Sequence, residues 1–340
     1  MPRKIRVVLV GCGDISGAWL SSQTVKKKVE IAALVDIKKV AAENKRDEYG
    51  LSDAIVSTDL AGTLAAVTPD AVFDCTLPKA HCGVTLTALA HGCHVLGEKP
   101  LADTMANARK MVAAAKRAKK IYAVIQNRRY QAEIRSLKRF LGSGRIGKVT
   151  SIQSNFFLGA HFGGFRDKMK HVLLIDMAIH TFDAARFLTG ADAKNVYCHE
   201  WNPSGSWYAH GAAAVAVFEM TGGIVYTYEG SWCAEACNTT WEADWRIVGT
   251  KGSVLWDGGS GIRAEVTTAK EGFIRKVKSV RVPTVKLIRT GHDGVIGEFV
   301  DCVEKGGVPD TVSSDNIKSL AMVHAAVESA TRKSRVTVKA

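Results

Sequence analysis

Five short apolar runs alternate with stretches of helical patterning over the first 125 residues. The runs cover 5–10, 31–35, 71–75, 94–96 and 122–125, and the helical stretches cover 16–28, 38–49, 60–67, 81–91 and 104–119. A strand–helix–strand repeat of this spacing makes crossover connections, so this texture predicts a parallel sheet. After about residue 150 the texture changes. Stretches 151–158, 212–220, 224–232, 241–248 and 253–256 have strand character, and Gly222-Gly223 and Thr250-Lys251-Gly252 stand where hairpins would turn. One helix is expected at 173–188 and another at 314–333. The fold expected is α/β, with one domain over 1–125 and a second, built on a large and mainly antiparallel open sheet, over 126–340.

Composition narrows the function classes. At 340 residues the chain fits two domains, and 46% apolar with 23% charged residues excludes a disordered chain. The net charge of +13 raises nucleic-acid binding. However, the densest basic groups, Lys26-Lys27-Lys28 and Lys116-Arg117-Ala118-Lys119-Lys120, end predicted helices, where cations favour the helix dipole. No nucleic-acid partner is expected. No stretch approaches the ~18 apolar residues of a membrane helix, so no membrane partner is expected either. The first run is broken by Arg6 and ends in Gly11-Cys12-Gly13, which reads as a buried strand rather than a signal peptide. The eight cysteines include no C-x-x-C pair and read as free thiols of a cytoplasmic protein. His81, Cys82, His91, Cys93 and His94 lack metal-ligand spacing, and no metal is expected.

The chemistry begins at the first turn. Gly11-Cys12-Gly13-Asp14-Ile15-Ser16-Gly17 follows a strand and opens a helix. Gly11 permits the tight turn, and Gly13, Asp14 and Ile15 lie where a pyrophosphate would approach the backbone. The third glycine of G-x-G-x-x-G falls on Ser16, small enough for close helix–strand packing. Asp36 ends the second strand, nineteen residues after Gly17, where an acid binds the adenosine ribose. This is a dinucleotide-binding Rossmann pattern. The Asp36 charge favours NAD, while Lys38 and Lys39 leave NADP open.

Two further segments are specific. Thr76-Leu77-Pro78-Lys79-Ala80-His81 leads to His94-Val95-Leu96-Gly97-Glu98-Lys99-Pro100, and Leu174-Ile175-Asp176-Met177-Ala178-Ile179-His180-Thr181-Phe182-Asp183 follows later. With Asn127-Arg128-Arg129-Tyr130 and Ser143-Gly144-Arg145-Ile146-Gly147-Lys148-Val149, the chain resembles the glucose–fructose oxidoreductase / inositol dehydrogenase / MocA family from residue 5 to about 190. The resemblance implies NAD(P)-dependent hydride transfer to or from a hydroxyl or keto carbon of a sugar, cyclitol or glycoside. It implies a homodimer or homotetramer formed through the C-terminal sheet. It places Lys99, Asp176 and His180 at the nicotinamide as catalytic residues and Thr76, Leu77, His81 and Glu98 along the cofactor. It also places Arg128 toward the substrate. Leu77 and Pro78 depart from the family's usual Pro and Asn.

The residues support that chemistry. Alcohol oxidation needs a proton acceptor, for which His180 has a suitable ordinary pKa, and positive charge near the developing alkoxide, which Lys99 supplies. Asp176 and His180 are four apart, on one face of a helix. His161, Arg166, Lys168, Lys170 and His171 precede that helix as a basic stretch, with Arg166 the candidate substrate contact. Six tryptophans between 201 and 256 suit sugar stacking as well as subunit interfaces and sheet packing, and their place within strand patterns favours the latter two. Two alternatives stand beside the dehydrogenase. One is a tight-cofactor enzyme that oxidises a sugar transiently to cleave or epimerise a glycoside. The other is a non-catalytic NAD-sensing regulator.

Overall fold

The computed structural model describes residues 3–340. The early apolar runs form β1 (Ile5–Val10), β2 (Val29–Val35), β4 (Ala71–Asp74), β5 (His94–Gly97) and β6 (Tyr122–Val124). A short strand unforeseen from the sequence, β3 (Ile55–Ser57), completes them. All pairings are parallel, in the order β3-β2-β1-β4-β5-β6. The order reverses between β1 and β4, the switch point where such sheets bind ligands at their carboxyl ends. β1 shows why a continuous apolar run is needed. Its Val7 and Leu9 enter one core with Trp19 and Phe73, and its Val8 and Val10 enter another with Leu64 and Val95.

The helix expected over 16–28 is two helices, Asp14–Leu20 and Gln23–Lys28. Ser22 breaks the run, because its hydroxyl accepts from the Val25 amide and caps the second helix.

The second sheet has nine strands. They are β7 (Val149–Phe157), β8 (Ala193–Trp201), β9 (Ala213–Met220), β10 (Val225–Ser231), β11 (Asp244–Gly249), β12 (Gly252–Trp256), β13 (Ile262–Thr267), β14 (Val277–Val280) and β15 (Val336–Thr337). They are ordered β14-β13-β12-β11-β7-β10-β9-β8-β15. Only β7 and β10 pair in parallel. Both anticipated hairpins form, β9–β10 and β11–β12. Strands β8, β13, β14 and β15 were not foreseen, because charged residues interrupt β8 and β13 while β14 and β15 are only four and two residues long. One face of this sheet is packed. Phe182, from the helix Ile179–Thr189, meets Phe218, Tyr226 and Tyr228 with ring centroids 4.9, 6.0 and 5.2 Å away. Trp232, Trp245 and Trp256 are buried in the same core.

The expected boundary after residue 125 divides the chain once. The described residues up to Tyr130 form one compact unit together with Ile288–Leu320, and Gln131–Leu287 with Ala321–Ala340 form the other. The returning segment carries the helix Gly291–Lys305, whose Val295, Ile296, Phe299 and Val300 pack on the Trp19 and Phe73 side of the parallel sheet. Its glycines hid it from a propensity reading. Gly294 has a packing reason: a Cβ there would stand 2.7 Å from Cβ of Tyr130.

A larger, more dispersed basic group than those at the helix ends also emerges. Lys270, Arg275, Lys276, Lys278, Arg281 and Lys286 are all exposed on and after the β13–β14 hairpin, against the single acid Glu271. β14 is a sheet edge, where lysines discourage further strand pairing. All eight cysteines are unpaired. Among the described residues, no helix is long and apolar enough to cross a membrane.

Phe182→Ala removes a fully buried ring from the second core. It is expected to cost about 3–5 kcal/mol in chemical denaturation.

Candidate functional site

The turn after β1 is dictated by contact. Gly11 has φ +89°, and a Cβ there would lie 2.7 Å from the carbonyl carbon of Cys75. Its amide donates to the Val35 carbonyl at 2.8 Å. Gly13 caps the helix Asp14–Leu20, and a Cβ on it would meet nothing within 4 Å. The backbone is therefore open where a pyrophosphate would lie. Ser16, at the third-glycine position, is fully buried and donates its hydroxyl to the Gly13 carbonyl at 2.6 Å, bracing the loop from behind. Asp14 and Ile15 stand exposed on the first turn of the helix.

Asp36 is held against this loop. One carboxylate oxygen accepts from the Cys12 amide and the other from the Lys38 amide, each at 2.8 Å. Burial, and then the neighbouring Asp36 charge, push the Cys12 thiol up to about 12. The open Gly13 backbone and the amide-anchored acid fit an adenine dinucleotide.

Across the switch point, buried Asp74 accepts from the Thr76 amide at 3.0 Å and from its hydroxyl at 2.6 Å, through the same oxygen. Leu77 is exposed. His81 is buried, with Nδ1 3.0 Å from the Pro100 carbonyl and Nε2 3.0 Å from the Thr76 carbonyl. Its ring thus braces the Thr76 turn against the Lys99-Pro100 turn. Glu98 is buried as well. It accepts from the Trp19 indole N–H at 2.8 Å and from the Lys99 amide at 3.1 Å. Lys99 follows at the carboxyl end of β5. Arg128 is buried, and Arg129 donates to the Asp310 carbonyl at 2.6 Å and to the Asp315 carboxylate at 2.9 Å.

Trp19, Asp74 and His292 were not singled out from the sequence, and Asn127 was named only within the segment Asn127-Arg128-Arg129-Tyr130. Asn127 Nδ2 lies 3.3 Å from His292 Nδ1, a pair separated by 165 residues, and local pattern cannot reveal such a contact.

In the second unit, the expected helix at 173–188 opens as a π-helix, Leu173–Ala178, and continues as the α-helix Ile179–Thr189. Asp176 lies in the wide turn and His180 in the first α turn. Their spacing is therefore not the simple α-helical face expected. Such π-turns recur at functional sites. Arg166 Nε donates to Asp176 at 2.6 Å. Its guanidinium also lies 4.9 Å from the Phe162 ring and 4.8 Å from the Phe165 ring. His180 is buried. The rest of the basic stretch divides. His171 bonds Glu200 at 2.5 Å, and His161 bonds Glu235 at 2.8 Å while stacking 3.7 Å from the Trp207 ring. Lys168 and Lys170 are exposed.

Gly11→Ala is expected to destabilise the protein by more than about 1 kcal/mol, because alanine resists this φ even before its methyl meets Cys75. Thermal melting checks it, with Gly13→Ala, where the methyl has room, as the mild comparison.

Residues 5–126 match the model of an oxidoreductase family with an NAD-binding Rossmann fold, and residues 134–255 match the GFO/IDH/MocA C-terminal domain. Inositol 2-dehydrogenase of Streptomyces avermitilis is 26% identical over 351 residues, spanning 100% of this chain and 96% of that protein. D-glucoside 3-dehydrogenase of Escherichia coli K12 is 31% identical over 209 residues, spanning 59% of each. The crystal structure of an oxidoreductase from Agrobacterium radiobacter, in complex with NAD+, L-tartaric acid and magnesium, has the same fold. Its TM-score is 0.84 at 23% identity, and the match covers 98% of both chains.

Proposed function

The chain belongs to the GFO/IDH/MocA oxidoreductase family, and we propose that it is an NAD-dependent dehydrogenase of a sugar, cyclitol or glycoside hydroxyl. The observation that carries this reading is Asp36, clamped by two backbone amides beside the open Gly13 backbone. A carboxylate fixed there accepts the ribose hydroxyls and repels a 2′-phosphate, which supports NAD over NADP. Of the nearby lysines, Lys39 is paired with Glu43 at 3.6 Å. The names of the inositol and glucoside dehydrogenases support the polyol substrate class.

When bound, the nicotinamide supplies the hydride acceptor. His180 takes the hydroxyl proton. Lys99 sets an ammonium against the oxygen that gains negative charge. Asp176, held by Arg166, orients a second substrate hydroxyl. The stacking of Arg166 on Phe162 and Phe165 helps keep this clamp in place. Arg128 and Arg166 contribute to substrate binding.

Purified protein, checked first for bound cofactor, is to be screened with NAD+ and NADP+ against myo-inositol, free sugars and methyl glycosides, following reduced-nicotinamide absorbance. On the substrate found, Lys99→Ala and His180→Ala are each expected to lower kcat by about 10²–10⁴-fold. Full turnover in both variants would overturn the catalytic assignment.

The outer face of the second sheet supports a homodimer or homotetramer. Tyr197, Trp201, Val217 and Val225 are all exposed there, and Tyr197 and Val217 are direct cross-strand partners. Exposed apolar surface of this kind marks an interface. Val217→Lys is expected to shift the native mass toward the monomer in light scattering while leaving the melting of the parallel-sheet unit unchanged.

A further inference from the structure

The hairpin that joins β13 to β14 is closed by the Thr268 amide and hydroxyl, which donate to the Lys276 carbonyl at 2.8 and 3.1 Å. Its base packs on the second core through Val266, Val280 and Val282. Its tip does not pack. Phe273 is fully exposed and Ile274 is 83% exposed, side by side beyond Gly272, whose φ of +125° turns the chain. Val277, where β14 begins, is half-exposed. Two adjacent large apolar side chains left in water are a cost that the fold itself does not recover.

Cations surround this tip. Lys270 and Arg275 flank it, and Lys276 and Lys278 follow at β14. Backbone bonds bring two more to the same end of the sheet. The Thr250 amide donates to the Lys148 carbonyl and the Thr267 amide to the Lys251 carbonyl, each at 2.9 Å. All six side chains are exposed, and none has an ionic partner among the described residues. Over 145–148, 250–252 and 262–281 the acids are Glu265 and Glu271 alone. Protection of a sheet edge accounts for lysines on β14, but not for the loop cations or the apolar tip.

We propose that this hairpin docks the protein on an anionic bilayer surface, with Phe273 and Ile274 entering the headgroup boundary and the surrounding cations meeting the lipid headgroup charges. Complementarity selects this occupant. A nucleic-acid backbone would answer the cations but offers Ile274 no apolar partner. A second copy would bring the same cations, and the net charge of +13 leaves no acidic surplus to receive them. β13 also stands four strand spacings, about 19 Å, from β10, so the tip lies apart from the apolar patch on β8, β9 and β10. A bilayer interface supplies both chemistries, an apolar layer under a layer of negative charge. Among the described residues no helix is long and apolar enough to cross a membrane, and docking on its surface needs none.

The test is co-sedimentation of the protein with vesicles of phosphatidylcholine alone and of phosphatidylcholine with about 30% phosphatidylserine, at about 0.05 and about 0.5 M salt. Wild-type protein is expected to pellet with the anionic vesicles at the lower salt, to lose most of that binding at the higher salt, and to stay in solution with the neutral vesicles. Two double variants, Lys270→Glu with Arg275→Glu and Phe273→Ser with Ile274→Ser, are each expected to lower the partition coefficient on anionic vesicles by about tenfold or more. Their melting and native mass are expected to match wild type, since all four side chains are exposed. The proposal is overturned if wild type binds both vesicle types alike, or binds neither while retaining duplex DNA or not. It is overturned equally if the apolar double variant binds vesicles as wild type does, or if that variant changes the native mass in light scattering, which gives the tip to a second copy. Should either double variant melt early, Arg275→Glu and Phe273→Ser alone decide.

Discussion

The backbone of Gly11 runs so close to that of Cys75 that no side chain fits between them. This approach ties the carboxyl ends of β1 and β4 together at the point where strand order reverses, and the cofactor half of the molecule is arranged around it. Gly13 opens on one side of the contact and Asp36 is held by the Cys12 amide on the other. Thr76, whose amide also lies against Gly11, begins the turn that His81 braces. A loop fixed at so many points needs little reorganisation to accept a ligand, which is the physical advantage of preorganisation.

Burial distributes the polar groups of this unit into two kinds. Glu98, His81, Asp74 and Ser16 spend hydrogen bonds on the protein itself and hold the loops in register. Asp36 and Lys99 stand at the carboxyl ends of β2 and β5, where a ligand would be read. The second unit repeats the division. Glu200 and Glu235 are taken up by His171 and His161, while Arg166 is directed onto Asp176 in the wide π-turn.

Much of this was legible from residue pattern. Continuous apolar runs separated by helical stretches read correctly as a parallel sheet, because a strand buried on both faces has no room for alternation. The glycine loop and Asp36 were found by spacing, since backbone conformation and chain length impose both. The π-turn at Asp176 was not legible, because it differs from an α-turn by one residue of hydrogen-bond register and carries no compositional mark. Strands β8 and β13 were missed because charged residues interrupt them, and β14 because it is only four residues long. The glycines of Gly291–Lys305 argued against a helix that close packing on Tyr130 requires.

The sequence by itself determined the fold class and the glycine turn of the Rossmann unit. These follow from periodicity and local backbone preference, which act over a few residues. Only the tertiary structure decided that residues 288–320 return to the first unit, that His81 and Glu98 are braces, that Arg166 holds Asp176, and that His292 meets Asn127. Each of these depends on contacts between groups brought together by packing, and in most of them the partners lie far apart along the chain.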